Sequence, residues 1–275
     1  SKKAQPDIYY IVDSDLCANG VKTDDITYLV AVEGNECYTV RAGSILYKGE
    51  NEIATLDNDN DKKLIVKNGN IYYLHSSYNY TKASVSKVTP DGKITNYEWD
   101  NGSNEMDVTD FQVGTTGEIY VAGYMKDPFT GNYNIMQWKI TTDGKIAPTI
   151  IMENNYARNP RIALDNSGNV YTLFYVRKDN KLKLFKNGLE YTVISDCQDN
   201  NIYTSMAVHG NDVYVAASEP TSDGKYNTKC WKNGTPLYTY GTDAEMSVDG
   251  MFVASNGDIY VLLDMYGDTK RICYI

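Results

Sequence analysis

The chain has only two histidines, His75 and His209, to serve as bases near neutral pH. It has no GxSxG elbow, no HExxH pair and no GxxxxGK(S/T) phosphate loop. Serine-hydrolase, zinc-protease and nucleotide-hydrolase chemistry therefore lack their sequence marks. No run approaches the about 18 apolar residues that cross a bilayer. Helical periodicity is missing as well: no window of about 11 residues keeps apolar positions at i, i+3, i+4 and i+7. The five cysteines, Cys17, Cys37, Cys197, Cys230 and Cys273, are odd in number and share no CxxC spacing. That pattern argues against a disulfide framework and a zinc site, and they read as scattered buried thiols. A bridge between Cys230 and Cys273, on the third strands of consecutive repeats, stays open. Acidic residues outnumber basic ones 36 to 26, for a net charge of −10. A nucleic-acid partner would be repelled rather than steered in.

Tyrosine is abundant, with 25 Tyr against 5 Phe and 3 Trp. It suits strands that are apolar along the ring and wet at the hydroxyl. One phrase recurs six times: Gly, one or two polar residues, an apolar residue, then Tyr. It ends at Tyr38, Tyr72, Tyr120, Tyr171, Tyr214 and Tyr260, at intervals of 34, 48, 51, 43 and 46 residues. Apart from the short first interval, this is the pitch of a four-stranded propeller blade, about 40 to 50 residues. Each phrase marks a tight turn in which glycine supplies a positive φ. The strand before it is the innermost of its blade, as in Ile26 to Val32, Leu64 to Val66, Arg161 to Leu164, Met206 to Val208 and Met251 to Ala254.

A second phrase, aromatic, Lys, then a turn, follows at Tyr47-Lys48-Gly49, Trp138-Lys139, Phe185-Lys186-Asn187-Gly188 and Trp231-Lys232-Asn233-Gly234. Pro90-Asp91-Gly92 and Thr142-Asp143-Gly144 fill the same slot. Fourth strands are expected at Glu52 to Leu56, Ile94 to Trp99, Ile146 to Met152, Leu189 to Ile194 and Pro236 to Tyr240. The last repeat stops after its third strand, Lys270 to Ile275, while residues 7–13 form an orphan strand before the first. The expected fold is all-β: a six-bladed β-propeller of four-stranded antiparallel blades, with residues 7–13 completing the last blade and closing the ring. The competing reading, a seventh-blade remnant over residues 7–33, has too few strand-like runs. One domain spans 1–275, with residues 1–6 a flexible tether.

The pairing of Val213-Tyr214-Val215-Ala216 with Trp231-Lys232-Asn233-Gly234 resembles repeat propellers of exported proteins and lipoproteins of gut Bacteroidetes. More distantly, it resembles NHL-type six-bladed propellers. The resemblance covers essentially the whole chain and implies an exported or surface-tethered protein of a Gram-negative bacterium. It implies no catalytic residues, because its motif positions serve turns and packing.

His75, ending a second strand, and His209, in a turn, read as surface histidines on opposite faces. Asp57-Asn58-Asp59-Asn60-Asp61 lacks the glycine and bidentate glutamate of a calcium loop and reads as a solvated connection. No metal or cofactor is expected. By analogy of fold, ligands bind on the face carrying the loops from strand two to three and from strand four to the next strand one. There lie His75 to Lys82 with Tyr78 and Tyr80, Tyr124 to Asn134 with Phe129 and Tyr133, and Asn154 to Arg161 with Tyr156 and Arg158. Tyr203 and Ser218 to Asn227 with Tyr226 complete the set. Loop tyrosines can stack on sugars or grip peptide, and Arg158 can clamp a carboxylate. The expectation is a monomeric, non-catalytic binding propeller at the outer membrane, cell surface or periplasm, recognising glycan or peptide. A docking scaffold for another surface protein and a polysaccharide lyase or hydrolase are the alternatives.

Overall fold

The computed structural model describes residues 9–12, 15–18, 21–57, 60–102, 104–154, 159–195, 202–221, 225–241, 246–265 and 269–274. All regular secondary structure among the described residues is strand. None of it is a helix long and apolar enough to cross a membrane. The chain divides into two compact units, 1–108 and 109–275.

The first unit opens with β1 (Tyr9–Val12), β2 (Asp15–Ala18), β3 (Val21–Glu33), β4 (Glu36–Arg41), β5 (Ile45–Lys48) and β6 (Asn51–Thr55), which form one sheet in that order. Then β7 (Asn60–Lys67), β8 (Asn70–Ser76), β9 (Lys82–Val88) and β10 (Ile94–Asp100) form a four-stranded sheet. The 13-residue β3 serves two ladders: Lys22 lies opposite Cys17 of β2, and Leu29 opposite Val40 of β4. Between the two sheets Val40, Leu46, Ile71, Tyr73 and Val88 are all buried to 1% exposure or less. Each such aliphatic side chain contributes about 2 kcal/mol of apolar burial.

The unit boundary falls within β11 (Met106–Val113), which sheets with β12 (Ile119–Lys126), β13 (Tyr133–Ile140) and β14 (Ile146–Met152). Two four-stranded sheets follow: β15 (Arg161–Leu164), β16 (Val170–Val176), β17 (Lys181–Lys186) and β18 (Leu189–Ser195), then β19 (Tyr203–His209), β20 (Asp212–Pro220), β21 (Tyr226–Lys232) and β22 (Thr235–Gly241). The last sheet, β23 (Met246–Val253), β24 (Ile259–Met265) and β25 (Thr269–Tyr274), has three strands among the described residues. First strands of consecutive sheets pack together, β15 on β19 and β19 on β23. Asp110 accepts the Ile162 N–H at 2.9 Å, and the Arg161 guanidinium donates to the Thr204 carbonyl at 2.9 Å.

The orphan strand departs from expectation. Tyr9–Val12 pairs with Asp15–Ala18, Tyr9 opposite Ala18 and Val12 opposite Asp15, and so lies in the first sheet rather than the last. A partner two residues away closes a minimal loop, whereas pairing with β25 closes one of nearly the whole chain, at greater entropic cost.

The repeated phrases behave as turns. All six of their glycines have positive φ: Gly34 61°, Gly69 70°, Gly117 94°, Gly168 79°, Gly210 64° and Gly257 91°. Asn187-Gly188 and Asn233-Gly234 are positive at both positions, the signature of a type I′ hairpin whose twist matches its strands.

The two phrases also meet. Tyr38 lies opposite Lys48, Tyr72 opposite Lys87, Tyr120 opposite Lys139, Tyr171 opposite Lys186 and Tyr214 opposite Lys232. Each ammonium sits 5.2 to 5.9 Å from its ring centroid, within cation–π range. At Glu36 and Asp212 the acidic residue two before the tyrosine, on its face of the strand, completes the group. Lys48 pairs with Glu36 at 2.6 Å and Lys232 with Asp212 at 2.7 Å. Bonds from Lys48 and then the Tyr38 hydroxyl hold the Glu36 carboxyl below the usual range.

Candidate binding site

With the repeat residues committed to turns and packing, the loops remain. In the β8–β9 connection Ser77 Oγ accepts the N–H groups of Thr81 and Lys82, at 3.3 and 3.1 Å, and donates to Asn79 at 2.6 Å. Tyr80 holds a left-handed φ of 54°, a conformation that costs an L-residue about 1 to 2 kcal/mol. Its surroundings impose it. The Tyr80 carbonyl accepts the Met106 N–H at 2.6 Å, and Lys62 Nζ lies 5.6 Å from its ring. Lys62 is in turn paired at 3.0 Å with Asp107, which also accepts the Ser76 hydroxyl at 3.2 Å. The loop is thus pinned while Tyr78 stays 69% exposed.

The β12–β13 connection is built on an Asx turn. Asp127 accepts the N–H groups of Phe129 and Thr130, both at 2.8 Å, and these bonds, Thr130 first, hold its carboxyl below the usual aspartate range. At its tip Phe129 is 94% exposed. Tyr133 differs: it is half-buried, edge-on to Tyr124 at 5.7 Å and under Lys126 at 5.6 Å, so it serves packing. Tyr203 and Tyr226 meet edge to face at 6.1 Å, with Tyr203 37% exposed. Tyr156 and Arg158 lie outside the described residues.

A cavity of about 90 Å³ opens beside the β8–β9 loop. Asp57, Ser77, Lys82 and Glu98 form its rim, and buried His75, Ser76, Ala83 and Ser84 its floor. Glu98 of β10 lies opposite Ser84 of β9, and Ser84 opposite His75 of β8, so the three share one face of the sheet. Asp57 arrives from the β6–β7 connection, its carbonyl 3.5 Å from the hydroxyl of Tyr73.

His75 is not the surface residue expected. It is 3% exposed, stacked on Tyr73 at 4.9 Å, with its Nε2 3.4 Å from the Ser86 hydroxyl. The cause is β8, a central strand covered on both faces and buried from Ile71 to Ser76. His209, at the end of β19, is half-buried. The acidic run at 57–61 is not wholly loop, since Asn60 and Asp61 begin β7. Cys230 is buried in its sheet, and the Cys273 side chain lies outside the described residues. Among the described residues no three His, Cys, Asp or Glu side chains converge as metal ligands.

No protein-family model matches the chain, and no curated protein matches its sequence. Its likeness to solved structures is one of fold. The β-propeller domain of the Trilobed protease from Pyrococcus furiosus, described as having an open velcro topology, superposes with a TM-score of 0.61 at 10% identity, covering 94% of this chain and 79% of that one. The Dos1 propeller gives 0.54 at 10% identity, over 90% and 70%. AofleA from Arthrobotrys oligospora gives 0.53 at 7% identity, over 90% and 82%. The class so defined is a β-propeller assembled from repeated antiparallel sheets, of which five carry at least four strands and one carries three among the described residues.

Proposed function

We propose that this chain is a non-catalytic binding propeller of an exported protein, which recognises a glycan or a peptide through the aromatic residues of its two-to-three loops. One observation carries the reading: Tyr78 and Phe129 stand 69% and 94% exposed on connections stiffened by their own hydrogen bonds. A large apolar side chain held in water serves no packing purpose, and its fixed loop lowers the entropy lost when a ligand stacks on it. The net charge of −10 favours neutral or cationic ligands. Location outside the cytoplasm of a Gram-negative bacterium rests on the repeat resemblance, and fractionation of cells expressing the tagged full-length protein tests it.

Glycan-array and peptide-library screens should return hits that weaken by about tenfold or more in Tyr78→Ala or Phe129→Ala. Hits indifferent to both substitutions would move the site elsewhere. Turnover of a bound glycan, abolished by Glu98→Gln, would reassign the protein as an enzyme.

The scaffold reading keeps one supporting feature. Leu189, Tyr191 and Val193 alternate along the outer strand β18 and are 76%, 47% and 37% exposed. They form an apolar stripe that a partner protein could cover.

A further inference from the structure

We propose that the cavity beside the β8–β9 loop receives hydroxyl groups of a single uncharged sugar residue. This rests on the binding reading above and narrows it to a glycan ending in a neutral sugar.

Size comes first. The cavity, about 90 Å³ and open to solvent, has room for one edge of a single pyranose ring rather than for a whole oligosaccharide. Chemistry comes second. Apart from Ala83, every lining residue carries a polar side chain. The charged and hydroxyl groups among them give a vicinal diol both acceptors and donors.

The carboxylates of Asp57 and Glu98 accept hydroxyl hydrogens in charge-assisted bonds, and the Lys82 ammonium donates to a hydroxyl or ring oxygen. On the floor, Ser84 is 5% exposed and its hydroxyl has no hydrogen-bond partner among the described residues. It lies in the row between Glu98 and His75, both of which also line the cavity. A desolvated hydroxyl in that position is completed by a ligand hydroxyl, which both donates and accepts. Two carboxylates against one ammonium leave the rim net negative, so uronic acids and other anionic sugars are disfavoured.

The test uses the full chain and a panel of methyl glycosides, those of glucose, galactose and mannose beside methyl glucuronoside, read by saturation-transfer NMR and calorimetry. At least one neutral glycoside should bind, with methyl glucuronoside weaker by about tenfold or more. Glu98→Gln and Asp57→Asn, both on the exposed rim, should each weaken the neutral glycoside by about tenfold, and the double variant should narrow the gap to the glucuronoside. Methyl glucuronoside bound as tightly as the neutral glycosides, no binding of any neutral glycoside, or affinities unchanged in both rim variants would overturn the proposal. The two readings fail separately. Array hits that survive Glu98→Gln and Asp57→Asn but are lost in Tyr78→Ala would sink the cavity and leave the loop site standing.

Discussion

Lysines opposite the phrase tyrosines explain why two short phrases recur together. The ring shields the lysine stem, the ammonium faces the ring, and for Lys48 and Lys232 the acid two residues before the tyrosine fixes the ammonium. Each phrase is legible alone. Their contact is not, because tyrosine and lysine are separated by 10 to 19 residues depending on the hairpin between them. Lys87 escapes the pattern altogether, following Ser86 where an aromatic stands elsewhere. The phrase glycines divide on what surrounds them. Gly210 has φ +64° and nothing within 4 Å of an added Cβ, so Gly210→Ala should cost about 1 to 2 kcal/mol from backbone conformation alone. At Gly234, with φ +81°, the Cβ would sit 2.6 Å from Thr192 Cγ2, and Gly234→Ala should cost more. Urea denaturation of the two variants compares them directly, and equal losses would mean that Thr192 moves aside freely. Tyr171→Phe removes a buried hydroxyl bonded to Asp165 at 3.2 Å and should cost about 1 kcal/mol in the same assay.

Strands were readable from apolar runs and turn residues: Arg161–Leu164 and Ile146–Met152 fall where their sequences place them. Burial was less so. His75 closes a second strand as expected, but alternation cannot reveal that β8 is covered on both faces, so its depth went unread. The loops were found by length, whereas their stiffness comes from single side chains such as Asp127 and Ser77. In the β12–β13 connection this gives a pH signature. The Asp127 carboxyl is held below its ordinary 3.8 by the Thr130 and Phe129 N–H groups. A depressed folded pKa means that the ordering is fully present above the unfolded value and is lost as pH falls through the folded one. The Phe129 and Thr130 amide shifts should therefore titrate with a midpoint below 3.8, and Asp127→Ala should abolish the step. A midpoint at or above the free value would mean that the Asx turn does not persist in solution.

At the scale of the whole molecule, six repeats were legible and the partner of the first strand was not. Counting strands makes residues 7–13 a natural complement to a three-stranded last sheet, but pairing is a competition in which local loop closure favours Asp15–Ala18. The two arrangements predict different truncations. Because Thr27 to Glu33 of β3 pair with β4 independently of β2, deleting residues 1–19 removes a hairpin and leaves β3–β6 a four-stranded sheet. Its Tm should fall by no more than about 5 °C. A larger fall would return residues 7–13 to the last sheet, since their loss would then open the edge of β25 to water and to other chains. The same calorimetric scan tests the single-domain reading of 1–275, which we carry forward as a proposal. One transition with equal calorimetric and van't Hoff enthalpies supports it, whereas two resolved transitions would mean that units 1–108 and 109–275 unfold separately.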